Sequence, residues 1–108
     1  MKQVKDTAEK LYEARALLGF SIVNNQCEMV HNESFFSDEA ALQVITFLVE
    51  CMDQLVASGR AVKRLTIELD DVIVICTPIR EQNRYGLFIL TRTCDLDQSA
   101  ADIAILAA

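Results

Sequence analysis

At 108 residues and 12.1 kDa, the chain has room for one domain spanning residues 1–108 and none for a second. Hydrophobic residues make up 52% of it against 24% charged, with one Pro and three Gly, which excludes long disordered tracts and predicts one packed core. The net charge of −6 sets it against phosphate backbones and anionic headgroups, so neither nucleic acid nor a membrane surface is an expected partner.

The charged start MKQVKDTAEK has no signal-peptide core behind it, and no uninterrupted apolar run reaches the ~18 residues of a membrane span. The expected location is the cytoplasm, where Cys27, Cys51, Cys76 and Cys94 remain reduced. No C-x-x-C pair joins them, so a zinc site is not expected.

Gln3 to Leu18 reads as a helix, with Val4, Ala8, Leu11 and Leu18 gathered on one side at 100° per residue. Gly19 is the expected stop. Phe20 to Val23 then forms a first strand, Asn24-Asn25 a turn, and Cys27 to His31 the returning strand of a hairpin. Ser37 has the chemistry of an N-cap, and Asp38 and Glu39 suit the positive end of the helix that follows.

That second helix, Asp38 to Ser58, is the most informative segment. With Ala40 set at 0°, the polar residues Gln43, Thr46, Glu50, Asp53 and Gln54 occupy ~220° to ~320°. Apolar residues fill the remaining ~220°, about twice what a helix resting on one sheet requires. Such a helix must cover its own sheet and meet something else as well. Gly59 closes it.

From Arg64 to Leu69 polar and apolar residues alternate strictly, as in a strand with one wet face, and the strand is expected to begin near Val62. Asp70-Asp71 turns the chain into the unbroken run Val72 to Thr77, which Pro78 should end. Arg80 to Arg84 forms a charged loop, Tyr85 to Thr91 a fifth strand, and Asp95 or Asp97 caps a last helix running to about Ala107. The order is α-β-β-α-β-β-β-α. This is an α/β (α+β) domain with a five-stranded, mostly antiparallel sheet and helices on both faces.

Catalytic parts are scarce. His31 is the sole histidine and falls at a strand end; the three glycines stand alone, which excludes a Walker loop or a dinucleotide fingerprint. Asp70-Asp71 and Asp95-x-Asp97 pair carboxylates, yet both sit where turns and helix starts favour Asp on backbone grounds. Arg60, Lys63 and Arg64 cluster before the third strand as a solvated face. No enzyme activity, cofactor or metal is expected.

The stretches Leu18 to Val23, Ser37 to Ala41, Val62 to Leu69 and Tyr85 to Arg92, with Asp95-Leu96 leading into the last helix, resemble the dynein-light-chain roadblock family of longin- and profilin-like domains. Asp70-Asp71 stands where that family often has glycine. The resemblance implies a dimer, with itself or a related subunit, in which third strands pair edge to edge and second helices lie side by side. Leu42, Ile45, Val49, Met52 and Val56 on the helix, with Leu65 and Ile67 on the strand, are then the residues expected at the seam. It also implies a scaffold or regulator of a Ras-like small GTPase. Two alternatives of other classes remain open: an acidic dimeric secretion-type chaperone for an unfolded client segment, and a small-molecule sensor with a profilin-like pocket.

Overall fold

A computed structural model describes all residues 1–108. The elements run α1 (Lys2–Glu13), β1 (Leu17–Asn24), β2 (Met29–Glu33), α2 (Asp38–Ala57), β3 (Leu65–Glu68), β4 (Val72–Ile79), β5 (Arg84–Thr91) and α3 (Leu96–Ala104), with a closing 3₁₀ turn at Ile105–Ala107. The strands form one sheet in the order β2-β1-β5-β4-β3, and every neighbouring pair is antiparallel.

Alternation along the strands divides the core in two. Phe20, Ile22, Ile75, Phe88 and Leu90 face α1 and α3, meeting Val4 and Leu11 from α1 and Ile103 from α3. Val23, Val74, Cys76, Leu87 and Ile89 face the opposite way and meet α2. The sheet therefore has two helices on one face and a single long helix on the other. That lone helix crosses from the β2 edge to the β3 edge, because it connects those two strands. The accessible surface, 6327 Å², is close to the ~6,000 Å² expected for a folded chain of this mass.

The N-cap at Ser37 forms as its chemistry dictates, its hydroxyl accepting from the Ala40 amide at 3.1 Å. Asp95 rather than Asp97 caps α3, accepting from the Gln98 amide. Each such cap is worth about 1 kcal/mol. Asn24 organises the first hairpin by accepting from the amides of Gln26 and Glu28, with Cys27 in the left-handed region at φ 59°.

Several boundaries differ from the sequence reading. Helix α1 ends at Glu13, not Leu18, because Arg15 turns left-handed at φ 58° and releases the chain into β1. Gly19 lies inside that strand. A Cβ there would stand 2.6 Å from the Glu33 carbonyl oxygen, so glycine is required by the close passage of the loop after β2 and not by a helix end. Strand β2 is displaced to Met29–Glu33, and β3 is shortened to four residues. Pro78 does not stop β4, which continues to Ile79. β3 pairs only as far as Leu65 opposite Cys76, so Pro78 lies beyond the point where β4 has a neighbour on that side, and β4 behaves there as an edge.

Helix α2 is long and apolar enough to cross a bilayer by length and composition, although no uninterrupted apolar run was. Its stripe of Ala41, Ile45, Leu48, Val49 and Met52 is packed on the sheet.

Candidate interaction surface

The buried stripe of α2 occupies ~80° to ~180° on the wheel that places Ala40 at 0°. Ala40, Val44, Phe47, Cys51 and Leu55 lie between ~340° and ~60°, spaced by three or four residues along the rod. None of these five is fully buried, and Phe47 keeps 64% of its surface in water. The excess of apolar arc is thus a second stripe, tilted toward β3.

Between this stripe and the sheet edge runs a groove of about 380 Å³. Phe36, Val44 and Phe47 form its helix-side wall, Ile67 and Leu69 its strand-side wall, and Leu48 and Val74 line it further. Gln43 is its only polar residue. The loop that delivers Phe36 is held by a closed polar network. The buried Ser21 hydroxyl donates to Asn32 Oδ1 at 2.7 Å, and Asn32 Nδ2 donates to the Phe36 carbonyl and to Asp38. Phe35, its ring tilted 39° against that of Phe36 with centroids 4.6 Å apart, is 65% exposed.

β3 borders the groove and carries the open edge of the sheet. The Leu69 amide bonds the Val72 carbonyl, so Leu69, Ile67 and Leu65 turn their backbone groups toward β4. Thr66 and Glu68 therefore turn theirs outward. An unpaired row of donors and acceptors beside an apolar groove is a template for another strand.

Not every expected seam residue reaches this surface. Ile45, Val49 and Met52 are buried against Val74, Cys76, Leu87 and Ile89 of their own chain. Leu42 and Leu65 are half-buried against the same core. Val56, at ~160°, shares the angle of the buried stripe but is exposed in the last turn of α2, and Ile67 lines the groove. Phe36, Val44, Phe47 and Leu69 were missed. The Val44, Phe47, Cys51, Leu55 spacing carried the signal, but the wheel alone does not say which part of the arc meets the sheet.

A second, more polar cleft of about 330 Å³ lies between α1 and β2. The Tyr12 hydroxyl donates to Glu33 at 2.9 Å, and His31 stacks on Phe20 with its Nε2 3.4 Å from Glu33. Burial, then the Glu33 hydrogen bond and charge, pushes the Tyr12 hydroxyl up to about 12. No serine, threonine or cysteine lines this cleft to act as a nucleophile. Asp70 and Asp71 are exposed at the β3–β4 turn. The four thiols are free, and Cys76 is pushed up to about 12 by burial. No three His, Cys, Asp or Glu side chains gather into a metal-binding group.

A five-stranded antiparallel sheet with one helix on one face and two on the other is the architecture of the roadblock/LC7 fold. The chain has the roadblock/LC7 fold. It superposes on MglB of Myxococcus xanthus with a TM-score of 0.77 at 8% identity, covering 98% of this chain and 83% of that one. A roadblock/LC7 domain from Streptomyces avermitilis matches with a TM-score of 0.74 at 13% identity, covering 94% and 88%. An MglB described as having a tetrameric arrangement matches with a TM-score of 0.73 at 10% identity, covering 98% and 83%. No protein-family model and no curated protein sequence matches the chain.

Proposed function

We propose that this chain is a non-catalytic, single-domain interaction module that pairs through the α2–β3 face and, as a pair, acts as a cytoplasmic scaffold or regulator of a Ras-like small GTPase. The observation that carries the reading is the second apolar stripe of α2, continuous with a groove and an open strand edge. A stripe of this kind is not needed to hold the chain's own sheet, which Ile45, Leu48, Val49 and Met52 already cover. Contiguous apolar surface left in water marks an interaction site.

Pairing edge to edge would extend the sheet and cover both grooves at once. The tetrameric arrangement of one fold neighbour, an MglB, supports association as a use of this fold. The small GTPase is the partner class that the roadblock resemblance implies.

The test is capture by the purified chain of a Ras-like GTPase loaded with GTP or GDP, alongside a disordered client peptide. Retention of the GTPase in one nucleotide state is the expected result. Retention of the peptide alone would replace this reading with the chaperone one.

A further inference from the structure

The sheet has a second open edge. β2 ends the strand order on the side away from β3, so an occupant of the α2–β3 face leaves it uncovered. The Asn24 amide bonds the Glu28 carbonyl, so Asn24, Ile22 and Phe20 turn their backbone groups toward β2. His31 and Glu33, the partners of Ile22 and Phe20, turn theirs back toward β1. Asn32 between them presents its amide and carbonyl to the open side.

The cleft between α1 and β2 lies beside this edge. Its floor is apolar, with Ala8 and Phe20 both buried. Its rim is acidic: Glu9 and Glu13, neighbours on α1, stand on one side and Glu33 on the other, with Lys5 the one ammonium among them. Glu9, Glu13 and Lys5 form no ion pair within the chain. Glu33 is half engaged. Its Oε2 accepts from the Tyr12 hydroxyl at 2.9 Å, whereas Oε1 lies 3.4 Å from His31 Nε2, a buried nitrogen that forms no hydrogen bond.

We infer that the β2 edge and this cleft together receive an extended segment of a partner protein that carries an arginine. The segment pairs with the Asn32 backbone, and the guanidinium enters the cleft. A strand bonded to Asn32 sets the residues on either side of the bonded one on the α1 face, beside His31 and Glu33. From there an arginine stem lies along the apolar floor and its charged end reaches the rim. The forked donors suit Glu33 Oε1, and the planar group stacks on the ring of Tyr12, which is 37% exposed. Lysine would bring the charge without the fork or the plane.

Charge argues against other occupants. A second copy would bring a net charge of −6, with Glu28 and Glu33 flanking its own β2 edge, to a rim that is already acidic. A phosphate backbone is repelled in the same way. Neither edge nor cleft shares a residue with the α2–β3 groove, so a chain that stayed monomeric would still bind the segment.

Fluorescence anisotropy tests this with a short, labelled, end-capped peptide of alternating threonine and valine around one central arginine. The wild-type chain should bind it about 10-fold more tightly than the same peptide with citrulline, which keeps the side-chain shape and loses the charge. Glu33→Gln should erase that preference, and Phe47→Asp should leave it unchanged. N-methylation of the two peptide residues flanking the arginine removes strand donors and should weaken binding by about 10-fold.

Equal affinity for the arginine and citrulline peptides, or a preference that survives Glu33→Gln, overturns the cleft as the arginine site. Undiminished binding of the methylated peptide overturns the strand pairing. So does N-acetyl-arginine amide binding as tightly as the peptide, which would make the occupant a small guanidine. No binding of any peptide at millimolar concentration refutes the site. Circular dichroism records folding; should Glu33→Gln fold poorly, Glu9→Gln with Glu13→Gln, both exposed on α1, decides in its place by lowering the preference or leaving it intact.

Discussion

Phe47→Asp separates the two faces of α2. About 64% of Phe47 is exposed in the single chain, leaving roughly 100–160 Å² of its ring in water. Covering that area is worth about 2.5–4 kcal/mol for each copy at ~25 cal/mol per Å². Only part of such a gain survives the cost of association. A rise in the dimer dissociation constant of at least ~100-fold is therefore the expected result. Folding should change little, since substitutions at exposed sites usually stay within ~0.5 kcal/mol. Ile45→Asp, two residues earlier but fully buried among Val74 and Ile89, should instead unfold the chain. Sedimentation velocity reads association and thermal melting reads folding. If Phe47→Asp associates like the wild type, or melts as early as Ile45→Asp, the division of α2 into an inner and an outer stripe is wrong.

Other outcomes follow from the same structure. Gly19→Ala should destabilise the fold by about 1–3 kcal/mol in urea titrations, because its methyl would press on the Glu33 carbonyl and the Ser34 backbone. Hydrogen exchange should find the outward amides of Thr66 and Glu68 protected at high protein concentration and freely exchanging on dilution. Equal exchange at both concentrations would contradict pairing at that edge. Tyr12 loses its proton less readily in the folded chain, so its contribution is complete below about pH 10 and fades as pH rises towards about 12. Tyr12→Phe should flatten the stability profile in that window; an unchanged slope would assign it to Cys76 or Tyr85, which burial shifts the same way. A thiol reagent should modify Cys27, Cys51 and Cys94 in the native chain and spare Cys76, which is wholly buried; early modification of Cys76 would contradict its place under α2.

The element order was legible because each signal had a local cause. Ser37 and Asp95 cap helices through their own side chains, and the alternation of Leu65 to Glu68 needs only one wet face. The errors arise where distant contacts decide. Nothing near Glu13 announces a helix end, since Arg15 carries the left-handed turn without glycine, and Leu18 suits a helical stripe as well as a strand. Gly19 is explained by the end of β2 and the start of the loop after it, Glu33 and Ser34, fourteen and fifteen residues away. Pro78 lies in a strand because β3 is too short to reach it, a fact of pairing and not of composition.

The site was half legible for a similar reason. The breadth of the apolar arc on α2 shows that the helix carries more apolar surface than its own sheet covers. How the helix is rotated about its axis depends on the sheet beneath it, on Val23, Val74 and Ile89 as much as on α2 itself. The sequence reading expected Leu42, Ile45, Val49, Met52 and Val56 of this helix at a seam; of these, Ile45, Val49 and Met52 lie on the side that the sheet takes. Val44 and Phe47, nearer the β3 edge, are left outside.

Light scattering on the wild-type chain across micromolar concentrations addresses the outer stripe most directly. A mass twice the 12.1 kDa of one chain is the predicted result, falling towards a single chain on dilution. A stable 12.1 kDa species throughout that range would mean that Phe47, Ile67 and the β3 edge stay in water, and the pairing surface would be lost as an explanation for them.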